Sequence, residues 1–151
     1  MNKPLIFIIL LALTLGSAAQ ETNPRETNPF GMSLNLGGPT ILLSGQLDYF
    51  ITPSWNVEAG AGLIGYFAGT KYYFNGSRNV KLTPYLGATA TLVESTVSSE
   101  KFGGFYVPLG FQHWGKGSFT YSLEVAYLIF NTQYDNDDLL FGAIRLGWRL
   151  N

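Results

Sequence analysis

The chain has 151 residues, of which 13% are charged and 15% aromatic, with 18 glycines, no cysteine and a formal charge of −1 at pH 7. A soluble domain carries about 25% charged residues, so this composition points away from a water-facing surface. The near-neutral balance offers nothing to attract nucleic acid, and the lack of cysteine excludes a disulfide framework, thiol chemistry and a lipoprotein anchor.

At the N-terminus, Lys3 precedes an apolar run from Leu5 to Leu15, followed by Gly16 and the small residues Ser17, Ala18 and Ala19. A helical membrane span needs about 20 apolar residues, and Ser17 and Ala19 fall at the −3 and −1 positions of a cut before Gln20. Residues 1–19 therefore read as a secretory signal peptide, with a retained signal anchor as the alternative. Its removal takes away one of the nine basic residues and none of the ten acidic ones.

Residues 20–30 hold the tetrapeptide Glu21-Thr22-Asn23-Pro24 and its repeat Glu26-Thr27-Asn28-Pro29. Two prolines and no large apolar side chain before Phe30 predict a flexible periplasmic linker with nothing to bury, rather than a recognition motif. Beyond residue 19 no apolar stretch approaches 18 residues. An exported chain with few charges and no spanning helix points to the other structure that satisfies its backbone in lipid, a closed β-barrel.

Period-two alternation predicts eight strands, at 32–37, 41–51, 55–63, 66–74, 81–93, 104–112, 117–130 and 138–150. The expected fold is an all-β, eight-stranded antiparallel up-and-down transmembrane barrel over residues 31–151. The seventh strand sets Phe119, Tyr121, Leu123, Val125, Tyr127 and Ile129 on one face against Thr120, Ser122 and Glu124 on the other. The eighth sets Ile144, Leu146, Trp148 and Leu150 against Arg145, Gly147 and Arg149. A soluble barrel with an apolar interior has the same period. Size separates the two, because an eight-stranded barrel has room inside for few large side chains. The polar face carries Gly37, Gly60, Gly62, Gly69, Gly87, Gly104, Gly110 and Gly147, and the apolar face only Gly45 and Gly142. The polar face is therefore expected inside.

Both termini of an even-stranded outer-membrane barrel lie in the periplasm. That assigns Thr52-Pro53-Ser54, the segment 75–80 and His113-Trp114-Gly115-Lys116 to periplasmic turns. The aromatics beside them, Tyr49, Trp55, Tyr72, Phe74, Trp114, Phe119 and Trp148, are expected to form an interfacial girdle. Six inward charges, Asp48, Glu58, Lys71, Glu124, Arg145 and Arg149, sum to zero and are expected to pair across the lumen and plug it. A turn with Ile51 opposite Trp55 sets Asp48 opposite Glu58. Leu63 opposite Tyr66 then sets Lys71 opposite Glu58, and Asn131 opposite Asp138 sets Glu124 opposite Arg145, with Arg149 near Asp48.

The stretch Leu47-Asp48-Tyr49-Phe50-Ile51-Thr52-Pro53-Ser54-Trp55, the glycine alternation Glu58-Ala59-Gly60-Ala61-Gly62, the segment Gly69-Thr70-Lys71-Tyr72-Tyr73-Phe74 and Leu82-Thr83-Pro84-Tyr85-Leu86-Gly87 carry a family resemblance. They are similar to hairpins of the small bacterial outer-membrane β-barrel proteins of the OmpA/OmpX-like superfamily, particularly its Bacteroidota versions. The resemblance covers 31–151 and implies a fold rather than an activity. The family commonly ends on an aromatic residue, whereas here Arg149-Leu150-Asn151 follows Trp148.

Candidate catalytic and metal sites are weak. His113 is the only histidine, and pairing it with Ser118 or Ser122 would imitate a lipid-A deacylase, but the topology puts it at the periplasmic rim, away from that substrate. Asp135, Asp137 and Asp138 lack the glycine bend and distal glutamate of a calcium loop, which favours a solvated acidic loop. The sequence thus predicts a non-enzymatic, monomeric outer-membrane protein with a structural or surface-interaction role and no cofactor. Its expected partners are outer-membrane lipids, lipopolysaccharide and, during biogenesis, the barrel-assembly machinery. A lipid-modifying enzyme and a narrow small-molecule conduit are the alternatives.

Overall fold

Alternation along each predicted strand is the pattern that a closed sheet requires, and the computed structural model is such a sheet. It describes residues 23–94, 101–115, 117–131 and 138–150. A short helix, α1 (Pro24–Thr27), precedes β1 (Phe30–Leu36), β2 (Leu43–Thr52), β3 (Trp55–Gly62), β4 (Gly65–Tyr73), β5 (Leu82–Glu94), β6 (Lys101–Trp114), β7 (Phe119–Asn131) and β8 (Asp138–Leu150). Each strand pairs antiparallel with the next, and β1 closes the barrel on β8 with Phe30 opposite Leu150 and Leu36 opposite Ile144.

The pleat sorts the side chains strictly. Leu34, Leu47, Leu109, Leu123, Val125 and Ile144 are exposed on the outside, while Asn35, Gln46, Glu58, Lys71, Gln112, Glu124 and Arg145 are buried within. An apolar interior is thereby excluded. The lumen is nevertheless less uniformly small than its glycines suggested, because Phe50, Phe67, Tyr73, Tyr85, Tyr106 and Trp114 also point inward. Glycine makes the room: a Cβ on Gly60 would stand 2.5 Å from Cζ of Phe67, so the ring occupies the space that a side chain there would need. Two apolar clusters result, Phe50, Tyr73, Tyr85 and Trp114 toward the end bearing the termini, and Tyr106, Ala126 and Leu128 toward the other.

The registers differ from expectation in an instructive way. Asp48 does face Glu58, but a bulge between Phe50 and Thr52 puts Thr52, not Ile51, opposite Trp55. The β3–β4 hairpin closes with Gly62 opposite Gly65, so Lys71 faces Asn56 and not Glu58. Likewise Ile129 pairs with Asp138, so Arg145 faces Ser122 and not Glu124. Both slips are of two residues. Side chains repeat every two, so an even slip leaves every residue on its face, whereas a slip of one would turn the barrel inside out. The β5–β6 ladder is interrupted between the pairs Leu86–Leu109 and Thr89–Tyr106, where Pro108 has no N–H to donate.

The flexible linker expected over 20–30 is corrected for residues 23–30. Asn23 caps α1 by accepting from the Arg25 N–H at 3.1 Å, Pro24 occupies the first turn, and the Asn28 N–H bonds the Pro24 carbonyl at 3.0 Å. The Pro29 carbonyl accepts from the Phe50 N–H at 2.9 Å, and β1 already begins at Phe30. What the segment buries is a charged side chain, Arg25, 1% exposed. The predicted signal peptide, 1–19, lies outside the described residues.

Candidate functional site: the lumen

The middle of the lumen is a four-residue charge network contributed by β3, β4, β7 and β8. Lys71 Nζ lies 3.3 Å from Glu58 Oε2 and 3.2 Å from Glu124 Oε2. Arg145 Nη1 lies 2.9 Å from Glu58 Oε2, and its Nη2 lies 3.8 Å from Glu124 Oε2. Each cation thus bridges the same two carboxylates. Strand registers two residues away from direct opposition are spanned by the long stems of Lys71 and Arg145. The remaining lone pairs are met by neutral donors: Tyr85 Oη at 2.5 Å and Tyr106 Oη at 2.8 Å to Glu124, and Gln46 Nε2 at 3.3 Å to Glu58. Asn35 links the wall, accepting from Arg145 Nε at 3.0 Å and donating to Gln46 Oε1 at 3.0 Å. Buried charges are tolerable when they are paired and hydrogen-bonded in this way.

Toward the termini the packing becomes aromatic. Arg149 Nη1 contacts Asp48 Oδ2 at 2.5 Å, and Asn56 Nδ2 donates to the same oxygen at 2.7 Å. The Arg149 guanidinium lies 4.5 Å from the Phe50 ring centroid and 5.4 Å from that of Trp114. Arg25 enters the same layer from α1, with its guanidinium carbon 5.7, 5.5 and 5.4 Å from the centroids of Phe50, Tyr73 and Trp114. Its Nη2 donates to Thr83 Oγ1 at 2.7 Å. Burial pushes the Arg25 pKa down to about 10, which leaves it charged at neutral pH.

At the opposite mouth the β1–β2 connection enters the lumen. Gly37 and Gly38 take positive φ angles of 80° and 89°, and the chain then folds inward so that Pro39 and Thr40 are buried. Thr91 Oγ1 donates to the Pro39 carbonyl at 2.7 Å. Ile41 is held at φ 70°, a costly conformation for a β-branched residue, while packing on Tyr106, Ala126 and Leu128.

All six predicted lumen charges point inward and fall into two groups, Glu58, Lys71, Glu124 and Arg145 in the middle and Asp48 with Arg149 below. Of the seven predicted girdle residues, Tyr49, Trp55, Tyr72, Phe74 and Trp148 are exposed on the outer surface near the terminal end, and Phe119 packs edge-on against Trp148 at 5.4 Å. Trp114 is a correction: β6 runs two residues past its predicted end, and alternation then turns this ring into the lumen. His113 points outward and stacks on Tyr121 at 4.7 Å, whereas Ser122 is buried on the inner face, and Ser118 Oγ accepts from Asn28. Asp135 and Asp137 lie outside the described residues.

Sequence reasoning missed Arg25 and the inward aromatics. Parity was the available signal for the latter, since Phe50, Phe67, Tyr73, Tyr85 and Tyr106 stand an even number of residues from Asp48, Lys71, Gly87 and Gly104 on their own strands.

No protein-family model matches the chain, and no curated protein matches it. Among solved structures, the N-terminal β-barrel domain of Pseudomonas aeruginosa OprF is similar, with a TM-score of 0.59 and 12% identity over 82% of this chain and 98% of that one. At that identity the likeness is one of fold, a closed eight-stranded antiparallel up-and-down barrel.

Proposed function

We propose that this chain is an integral protein of a bacterial outer membrane, exported by a cleaved signal peptide, with a non-enzymatic structural or surface-interaction role and a lumen closed to solutes. The observation that carries this reading is the inverted distribution of side chains, apolar outside and paired charges inside. In water such a surface would be an aggregation hazard, and in lipid it is the stable arrangement. The exposed ring of Tyr49, Trp55, Tyr72, Phe74 and Trp148 then sits at the headgroup level on the periplasmic side. The separation of His113 and Ser122 on opposite faces of the wall gives the lipid-modifying alternative little support. Lipids and lipopolysaccharide are the proposed neighbours of a single barrel, delivered by the assembly machinery.

The test is reconstitution of the mature chain in liposomes. The barrel should migrate differently on gels before and after boiling, and the liposomes should not swell in small sugars. Swelling at porin-like rates would favour the conduit, and altered lipid A in a deletion strain would favour the enzyme. A single gel position, boiled or not, would count against the membrane barrel.

A further inference from the structure

The periplasmic mouth holds two guanidinium groups on shared rings: Arg149 of β8 lies over Phe50 and Trp114, and the second, Arg25, comes from outside the barrel wall. Three rings, Phe50, Tyr73 and Trp114, converge on the Arg25 guanidinium at 5.4 to 5.7 Å. Between them, Thr83 Oγ1 accepts from Nη2 at 2.7 Å and the Gly76 carbonyl from Nη1 at 3.4 Å. The Thr83 hydroxyl donates to the Val80 carbonyl at 3.4 Å, which leaves its lone pairs for the guanidinium. Among the described residues no carboxylate forms an ion pair with Arg25, and Asp48, the acid of this layer, is taken by Arg149. Recognition therefore runs through aromatic faces and neutral acceptors. That combination suits a planar, weakly hydrated guanidinium better than a strongly hydrated ammonium.

The segment bearing Arg25 behaves as a ligand on a short leash. Outside its own helix it is held by Asn23 Nδ2 on the Gly76 carbonyl at 2.8 Å and Asn28 Nδ2 on Ser118 Oγ at 3.3 Å, and it joins the barrel at Pro29. A cleft of about 200 Å³ bounded by Pro24, Asn28, Val80, Trp114 and Ser118 runs alongside it. We propose that this mouth is a guanidinium-recognition site, filled in cis by residues 23–28, which takes the guanidinium group of another molecule when that segment lifts away. The source is a small free guanidine compound or the arginine of an extended peptide.

The experiment uses the folded mature chain in detergent micelles, titrated with ethylguanidinium, with ethylammonium, and with a peptide of the sequence 22–29. Arg25→Ala should bind ethylguanidinium saturably and at least about tenfold more tightly than ethylammonium, a ratio equivalent to about 1.4 kcal/mol and within reach of a desolvated cation–π contact. The intact chain should require far higher concentrations, because a short tether presents Arg25 at an effective concentration on the order of millimolar. Tighter binding of the peptide than of ethylguanidinium identifies a peptide source and equal binding a small-molecule one, and both support the site. Absence of saturation in folded Arg25→Ala, equal binding by the intact chain, or indifference to an added Trp114→Leu overturns it. A second measurement on the intact chain guards against collapse of the emptied mouth: Glu26 is exposed but wound into α1, and a glutamate-specific protease reads an extended chain on both sides of the bond it cuts, so cleavage there tracks release of the segment. Ethylguanidinium should accelerate that cleavage and ethylammonium at equal ionic strength should not; equal rates overturn the proposal.

Discussion

Replacing Lys71 by methionine keeps most of the stem and deletes the charge, which isolates the electrostatic worth of the central network. Lys71 is fully buried, with Nζ 3.3 and 3.2 Å from two carboxylates and 4.8 Å from the Tyr85 ring centroid. At an effective dielectric of about 20, each of those contacts is worth about 5 kcal/mol gross. Desolvating the ammonium offsets several kcal/mol of the total of about 10, and losing one partner of a buried pair costs about 3–5 kcal/mol net. Arg145 would then stand alone between Glu58 and Glu124. Urea unfolding of the barrel in lipid vesicles, followed by tryptophan fluorescence and gel mobility, should show a loss of that size for Lys71→Met. Adding Glu124→Gln restores the charge balance and should recover about half of it, the coupling being read from the double-mutant cycle. A loss for Lys71→Met below about 0.5 kcal/mol, the ordinary range for an exposed pair, would refute the paired, water-poor lumen.

Three further outcomes are expected from the same unfolding assay. Leu123→Arg, on a side chain 56% exposed on the outer face, should cost about 2–4 kcal/mol in bilayers, and folding as well as the parent would contradict the outward assignment. Gly60→Ala should destabilise by about 1–3 kcal/mol by driving a methyl into the Gly45 carbonyl oxygen and the Phe67 ring, and Phe67→Leu in the same chain should relieve only the part of the cost that the ring imposes. Gly37→Ala should cost at least about 1–2 kcal/mol, because φ 80° suits glycine and the new methyl would also meet the Gly142 carbonyl oxygen at 2.6 Å; an unchanged midpoint would show that the mouth connection is not held as described.

Eight strands, the facing of each and the six inward charges were legible because a period of two survives any even error. The hairpin register was not, since Leu63–Tyr66 and Gly62–Gly65 closures give the same faces and differ only in which backbone atoms meet. The charges still found one another because lysine and arginine stems reach across a two-residue offset. Trp114 was misplaced by ending β6 at a cluster of turn-like residues, where two more residues of strand continue the alternation. Arg25 was illegible for another reason. The segment was weighed by its apolar content, and its anchor is a cation whose binding energy comes from rings on three distant strands, a property that no local window contains.

The inward fold of the β1–β2 connection, the central charge network and the aromatic layer around Arg25 occupy successive depths of one narrow tube. On the proposed reading of a lumen closed to solutes, obstructions so arranged act as resistors in series: the flux of an ion is set by the largest, and removing one leaves the others in command. Single substitutions in any layer are therefore expected to change stability long before they change conductance, and a permeable form of this barrel requires all three depths to open in the same molecule at the same time.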